Sequence, residues 1–337
     1  MTAAWQHLLQ QESFESDTMK CTVAVAESDN KIEALDKVIE KSQFLKDLEN
    51  SLKKSGKSRE EFSIAVKPNI MMLYHREHLH VATDSELVEH LARRTREEGY
   101  EKVAIVESRN LYTDWFPKRT VRLVAEVAGY TFSGYNLVDL TEDAEPYDYG
   151  GDLGKDFVGK SWKNADYRIS FQKNKTHIIC TYTLSMKNMF GTLPCQSKYA
   201  RYHETVGWEK ATIDVLRNFP PDFAFIDAFW SSDSMNGCVL ERPKYTKTII
   251  GGRNFVAVDW VGALKMGLDP LENPLMKMAV DLFGKPEFEV DGSIEPYKNW
   301  KNSSMTIGRM MSALEHLGIT SSVYHLLFML LMDPAFK

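Results

Sequence analysis

Residues 62–108, FSIAVKPNIMMLYHREHLHVATDSELVEHLARRTREEGYEKVAIVES, hold two short apolar runs on either side of an amphipathic segment. Phe62 to Val66 is apolar with β-branched residues at Ile64 and Val66, and Lys67-Pro68-Asn69 closes it, because proline cannot donate to the ladder of a central strand. Glu86 to Glu98 has helical spacing and stops at Gly99, after which Lys102 to Val106 forms a second apolar run closed by Glu107-Ser108. Strand, helix and strand within about forty residues make a βαβ unit, the building block of a parallel sheet.

Outward from this unit the same texture recurs. Ile32 to Lys54 reads as one helix from its spacing of Ile32, Leu35, Val38, Ile39, Leu45, Leu48 and Leu52, ending at Ser55-Gly56. Met1 to Glu15 reads as a short amphipathic helix carrying Trp5, Leu8 and Leu9. Downstream, Val121 to Ala128 is helical before Gly129, and Asn136 to Leu140 is a further strand. Tyr167 to Phe171, Phe223 to Ile226 and Phe255 to Val258 are three more apolar runs read as strands. The turn-rich segment Glu142 to Gly159 is placed as an exposed excursion or lobe boundary, and Gly150-Gly151 and Gly251-Gly252 as turns. The expected fold is α/β: a mostly parallel sheet with flanking helices and two lobes around a central cleft. The expected division is an N-terminal helical region at 1–60, lobes at 61–160 and 161–300, and a C-terminal helical segment at 301–337.

The bulk numbers restrict the partners. A chain of 337 residues with 43% hydrophobic residues buries a large core, and a net charge of −6 argues against nucleic acid or an anionic membrane as the main partner. Val323 to Met332 is too short to span a bilayer, which takes about twenty apolar residues, so it reads as a buried or subunit-contact helix, with an interfacial anchor as the alternative and a homodimer as one expectation. The four cysteines, Cys21, Cys180, Cys195 and Cys238, lack zinc or iron–sulfur spacing, and no basic leader precedes an apolar run. They read as reduced thiols of a cytoplasmic protein. The chain has no G-x-G-x-x-G after a strand, no P-loop, no G-x-S-x-G and no H-E-x-x-H.

Ligands of open parallel sheets bind beyond the carboxyl ends of the strands. The residues there are Lys67 and Asn69; Glu107 and Ser108; Lys173, Lys175 and His177; Asp227; and Asp259. Three lysines (Lys173, Lys175, Lys187) and His177 fall within fifteen residues and supply positive potential for a carboxylate or phosphate. The expected assignment gives catalysis to His177, Lys187 and Asp227, and substrate binding to Lys67, Asn69, Lys173, Lys175 and Asn188. A divalent metal ion would take Glu107, Asp227, Asp259 and His203, although a carboxylate at such a position can also cap the next helix, as Asp259 before Trp260 to Met266 would. His75, His78 and His80 form a second histidine cluster, but flanking Arg76 and Glu77 favour a solvated loop there.

Val66-Lys67-Pro68-Asn69, Glu107-Ser108, Lys175-Thr176-His177, Lys187-Asn188-Met189-Phe190-Gly191, His203, Ile226-Asp227-Ala228 and Ala257-Val258-Asp259 together resemble the family called domain of unknown function 362, over about residues 60 to 290. Many members of that family carry ferredoxin-type cysteine clusters, so the resemblance implies redox or metal chemistry for some of them. This chain has no such cluster; no intrinsic iron–sulfur centre is expected, and a ferredoxin-type partner in trans is left open. The resulting expectation is a metal-assisted enzyme acting on a small anionic metabolite. The alternative is a non-catalytic cofactor-binding or redox-partner adaptor protein.

Overall fold

The computed structural model describes residues 21–203, 205–234, 237, 239, 241–304, 306, 310 and 319–337, so the helix expected at Met1 to Glu15 lies outside the described residues. The described strands are Cys21–Glu27 (β1), Ser63–Pro68 (β2), Lys102–Glu107 (β3), Asn136–Asp139 (β4), Ala144–Asp148 (β5), Lys155–Gly159 (β6), Tyr167–His177 (β7), Thr181–Thr183 (β8), Phe223–Asp233 (β9), Arg242–Gly252 (β10) and Phe288–Asp291 (β11). Nine of them form one sheet in the order β11-β1-β10-β9-β7-β2-β3-β4, with β8 paired to β7. Only β8 and β10 run against the rest, so the sheet is mostly parallel, as expected.

The βαβ unit forms where its sequence places it. Asp84 accepts from the Glu86 amide at the start of helix Ser85–Glu97, whose buried face is Leu87, Val88 and Leu91, and Gly99 follows with a left-handed φ of 90°. Upstream, the expected single helix divides into Lys31–Lys41 and Phe44–Ser55, because Ser42 returns its hydroxyl to the Val38 carbonyl and Gln43 takes a φ of 55°.

Three strand assignments need correction. Tyr167 to Phe171 is the first half of β7, which continues through the polar residues Gln172 to His177, and Phe223 to Ile226 likewise extends to Asp233. Phe255 to Val258 is not a strand but the first turn of helix Phe255–Lys265, with Asn254 accepting from the Ala257 amide as its cap. Gly251-Gly252 is no turn: it ends β10, and a Cβ on Gly251 would lie 2.7 Å from Val38 Cγ1. The turn-rich excursion folds as the separate β5–β6 hairpin. The C-terminal apolar run lies in helix Ile319–Leu331, which buries Phe328 and exposes Leu326 and Leu330.

Helices cover both faces of the sheet. Lys31–Lys41, Phe44–Ser55, Ser85–Glu97 and Val121–Val127 pack on one apolar core with Ile64, Val66, Ile169, Phe171, Phe223 and Phe225. Ser185–Met189, Trp208–Asn218, Phe255–Lys265 and Pro274–Phe283 pack on the other with Ala65, Val106, Ala224 and Ile226. Strand alternation explains the division, since successive side chains of each strand face opposite layers. The segments 61–160 and 161–300 share this sheet, with β2 hydrogen-bonded to β7 across their division.

Candidate functional site

From β2 the chain steps outward to β3 and β4, then returns to the other side of β2 to lay down β7 and β9. Connections therefore leave the carboxyl ends of β2 and β7 in opposite directions, and a crevice opens between them. A cavity of about 220 Å³ lies there, roomy enough for a small metabolite. Its walls include Lys67 and Asn69 after β2, Glu107 and Ser108 after β3, and Lys175 and His177 at the end of β7. Lys187, Asn188, Phe190 and Gly191 close it from helix Ser185–Met189 and the turn beyond, and Lys198 and His203 complete the polar lining. Met71, Met72, Leu111 and Trp115 make one side apolar.

Lys67 and Glu107 are both buried, with Lys67 Nζ 2.8 Å from Glu107 Oε1. The ammonium also donates to the Pro68 carbonyl at 2.7 Å and to Asn188 Oδ1 at 3.2 Å, while Asn188 Nδ2 donates to the Lys67 carbonyl at 2.8 Å. Burial pulls the Lys67 pKa below the usual lysine value, and Glu107 opposes that pull. Gly191 has a steric reason to be glycine: a Cβ there would stand 2.8 Å from Lys67 Nζ. The Lys187-Asn188-x-x-Gly191 spacing thus places an amide and a bare backbone against one ammonium.

Lys175 and His177 are two apart on β7, so alternation turns them to one face. Lys175 Nζ donates to Asn69 Oδ1 at 2.6 Å and to the Val81 carbonyl at 2.8 Å. His177 Nδ1 accepts from the amides of Ile179 and Cys180, each at 3.2 Å, which assigns the neutral ring's proton to Nε2. Burial, then the charges of Lys187, His203 and Lys175, holds the imidazole pKa well below its usual value. Lys187 Nζ sits 3.6 Å from the Phe190 ring centroid and 5.1 Å from that of Trp208, a cation–π placement.

Lys198 is a cavity residue that the sequence reading missed. Its Nζ donates to the Arg109 carbonyl, and burial lowers its pKa to about 7 although Glu107 opposes the shift. It follows Gln196-Ser197 in a stretch without periodicity, and no local signal marks it.

Three expected site residues stand outside the cavity wall. Asp227 lies in the middle of β9, not at a strand end, and is in register with Lys173 of β7. Lys173 Nζ reaches Asp227 Oδ2 at 2.8 Å, and the carboxylate also accepts from the amides of Asp84 at 2.9 Å and Phe229 at 3.1 Å. This buried pair consumes both charges and ties β9 to the start of helix Ser85–Glu97. Asp259 is one turn into helix Phe255–Lys265 and accepts from the amides of Ser185 at 2.7 Å and Met186 at 2.8 Å, capping the short helix that carries Lys187 and Asn188. Burial raises its pKa to about 7 against those two backbone bonds. The expected metal set of Glu107, Asp227, Asp259 and His203 is therefore not gathered: Glu107 and His203 line the cavity, and the two aspartates do not. Among the described residues, the metal-capable atoms that converge, within 4.8 Å of one another, belong to His78, His80 and Glu241.

Among the described residues no helix is long and apolar enough to cross a membrane, and Cys21, Cys180 and Cys195 form no disulfide. A thylakoid-associated protein of Synechocystis sp. is 26% identical over 124 residues, which are 35% of this chain and 38% of that protein. The lactate racemase apoprotein from Thermoanaerobacterium thermosaccharolyticum aligns in structure with a TM-score of 0.37 at 11% identity, over 68% of this chain and 54% of that one. A protein from Thermotoga maritima aligns with a TM-score of 0.32 at 11% identity, over 63% of this chain and 55% of that one. The chain spans under half of the first relative and just over half of each solved chain. The model of the family described as a domain of unknown function (DUF362) matches residues 64–264, from β2 to the end of the helix bearing Asp259. That match covers more than half of the sequence, and the chain belongs to the DUF362 family.

Proposed function

We propose that the chain is an enzyme acting on a small organic anion, a carboxylate or phosphate, held in the cavity between the ends of β2 and β7. One observation carries this reading: the described lining residues include four lysines, Lys67, Lys175, Lys187 and Lys198, and a single carboxylate, Glu107. Glu107 lies against Lys67, and a lining with four lysines to one carboxylate sets a positive potential in a low-dielectric space, where an anion is held far more strongly than in water. The apolar side built from Met71, Met72, Leu111 and Trp115 favours an organic body on that anion.

Lys175 and Lys187 hold the charge, and Asn69 and Asn188 fix the cavity geometry through Lys175 and Lys67. Lys198, with a pKa of about 7, is the group suited to exchange a proton with a bound molecule at neutral pH, while His177, held neutral with its proton on Nε2, offers that N–H as a hydrogen-bond donor. Metal assistance through the four residues expected from sequence has no support in this geometry.

Calorimetric titration of the full chain with inorganic phosphate, oxalate and benzoate, repeated on Lys187→Met, tests the binding. A charged hydrogen bond contributes about 1.5–3 kcal/mol, so affinity for the best of these should fall roughly 10- to 100-fold in the variant. Equal affinity in both proteins would overturn the reading. Proton exchange separates enzyme from binder: in D2O, NMR of a panel of simple 2-hydroxy and 2-oxo acids should show deuterium entering a carbon-bound position. Tight binding with no exchange or turnover on any ligand identified by native mass spectrometry would favour the non-catalytic alternative.

A further inference from the structure

The histidine-rich segment after β2 is not the solvated loop its flanking charges suggest. It forms the 3-10 turn Arg76–Val81, and Arg76 is drawn away to Asp333, with Nε 2.7 Å from Oδ2. Two of the three histidines turn instead onto Glu241, which immediately precedes β10. His78 Nδ1 is 2.6 Å and His80 Nε2 3.2 Å from the same oxygen, Glu241 Oε1, and the Tyr74 hydroxyl donates to it at 2.9 Å. The Glu241 side chain is only 2% exposed, and its second oxygen, Oε2, is buried with no hydrogen-bond partner among the described residues. A buried carboxylate oxygen without a donor is costly, and native proteins rarely leave one so.

We propose that His78, His80 and Glu241 bind a divalent transition-metal ion of the zinc class, at a site separate from the anion cavity. Zinc bonds of about 2.0–2.2 Å in tetrahedral geometry separate neighbouring ligand atoms by roughly 3.3 Å. The three donor atoms lie within 4.8 Å of one another, so small rotations of the two rings suffice. Two imidazoles with one carboxylate select borderline ions over magnesium or calcium, which prefer all-oxygen shells. The cation would draw on the carboxylate that now leaves Oε2 unsatisfied. The His78 side chain is 39% exposed, so further coordination positions face solvent and remain open to water or a small exogenous ligand.

The location adds a consequence. The His80 carbonyl accepts from Ser232 Oγ at 2.9 Å, and the next carbonyl, Val81, accepts from Lys175 Nζ at 2.8 Å. A metal here braces the same turn that anchors a cavity lysine, and so couples ion occupancy to the rigidity of the cavity wall.

The test uses the full chain, stripped with a chelator, dialysed and titrated with Zn2+ against a chromophoric competitor, and separately with Co2+ read by its visible d–d bands. The parent should bind one equivalent with nitrogen and oxygen ligation. Glu241→Gln and His78→Gln should each weaken binding by on the order of 100-fold or more, beyond the ~10–100-fold typical of outer-shell partners. His78 is exposed enough for its variant to fold even where that of Glu241 does not. Lys187→Met should leave zinc binding unchanged. Absence of stoichiometric binding, affinity unaltered in His78→Gln, or a cobalt thiolate charge-transfer band that disappears with Cys→Ser substitution would each overturn the assignment.

Discussion

Replacing Asp227 by asparagine separates a structural role from a catalytic one. At 2.8 Å and an effective dielectric constant of about 20, the Coulomb attraction between Lys173 and Asp227 is about 6 kcal/mol before desolvation is counted. Desolvation offsets much of that in the intact pair, but removing one partner strands the other, and such deletions cost about 3–5 kcal/mol. Asparagine also puts an NH2 group where Asp227 accepts from the amides of Asp84 and Phe229 and from Lys173, so one donor faces another. The Asp227→Asn protein should show an unfolding free energy lowered by that amount, read as a lower urea midpoint at an unchanged slope. The double variant Lys173→Met, Asp227→Leu should recover part of the loss by removing the stranded charge, remaining below the parent because the Asp84 and Phe229 amides lose their acceptor. Anion affinity of each folded variant should stay within a few-fold of the parent. An Asp227→Asn protein as stable as the parent but unable to bind the anion would refute this reasoning and return Asp227 to the site.

Gly191→Ala should lose about 1–3 kcal/mol of stability and weaken anion binding together, because the new methyl meets a Lys67 ammonium pinned by three partners, as calorimetry and urea unfolding would show. Anion affinity should be flat below pH 6 and fall by up to about tenfold per pH unit above about 7, because the bound anion favours protonated Lys198 and deprotonation of the free protein removes that charge. Lys198→Met should flatten this profile, and an unchanged slope would count against the placement. Asp259→Ala should cost about 1–2 kcal/mol through loss of a helix cap and weaken the anion site, since the capped helix carries Lys187 and Asn188.

The central βαβ unit was legible because Ile64, Val66, Leu87, Leu91, Val103 and Ile105 announce their faces by spacing alone. The crevice was legible for the same reason: once strand ends are placed, Lys67, Glu107 and Lys175 follow. Charge pairing over long separations was not. Gln172 to His177 reads as a polar loop, and only Asp227, 54 residues beyond Lys173, shows why a strand can carry a lysine through the core. The four-residue run Phe255 to Val258 is ambiguous between strand and helix by periodicity, and Asn254, as a cap, decides it for helix. The histidine cluster carries no local sign of its carboxylate, because Glu241 lies more than 160 residues away.

The position of a bound anion is the most direct test of the cavity's role. Crystals of the full chain soaked in selenate, an oxyanion with an anomalous scatterer, should show a peak inside the cavity within hydrogen-bond reach of Lys187 and Lys198. A cavity that stays empty while selenate occupies surface lysines would contradict it.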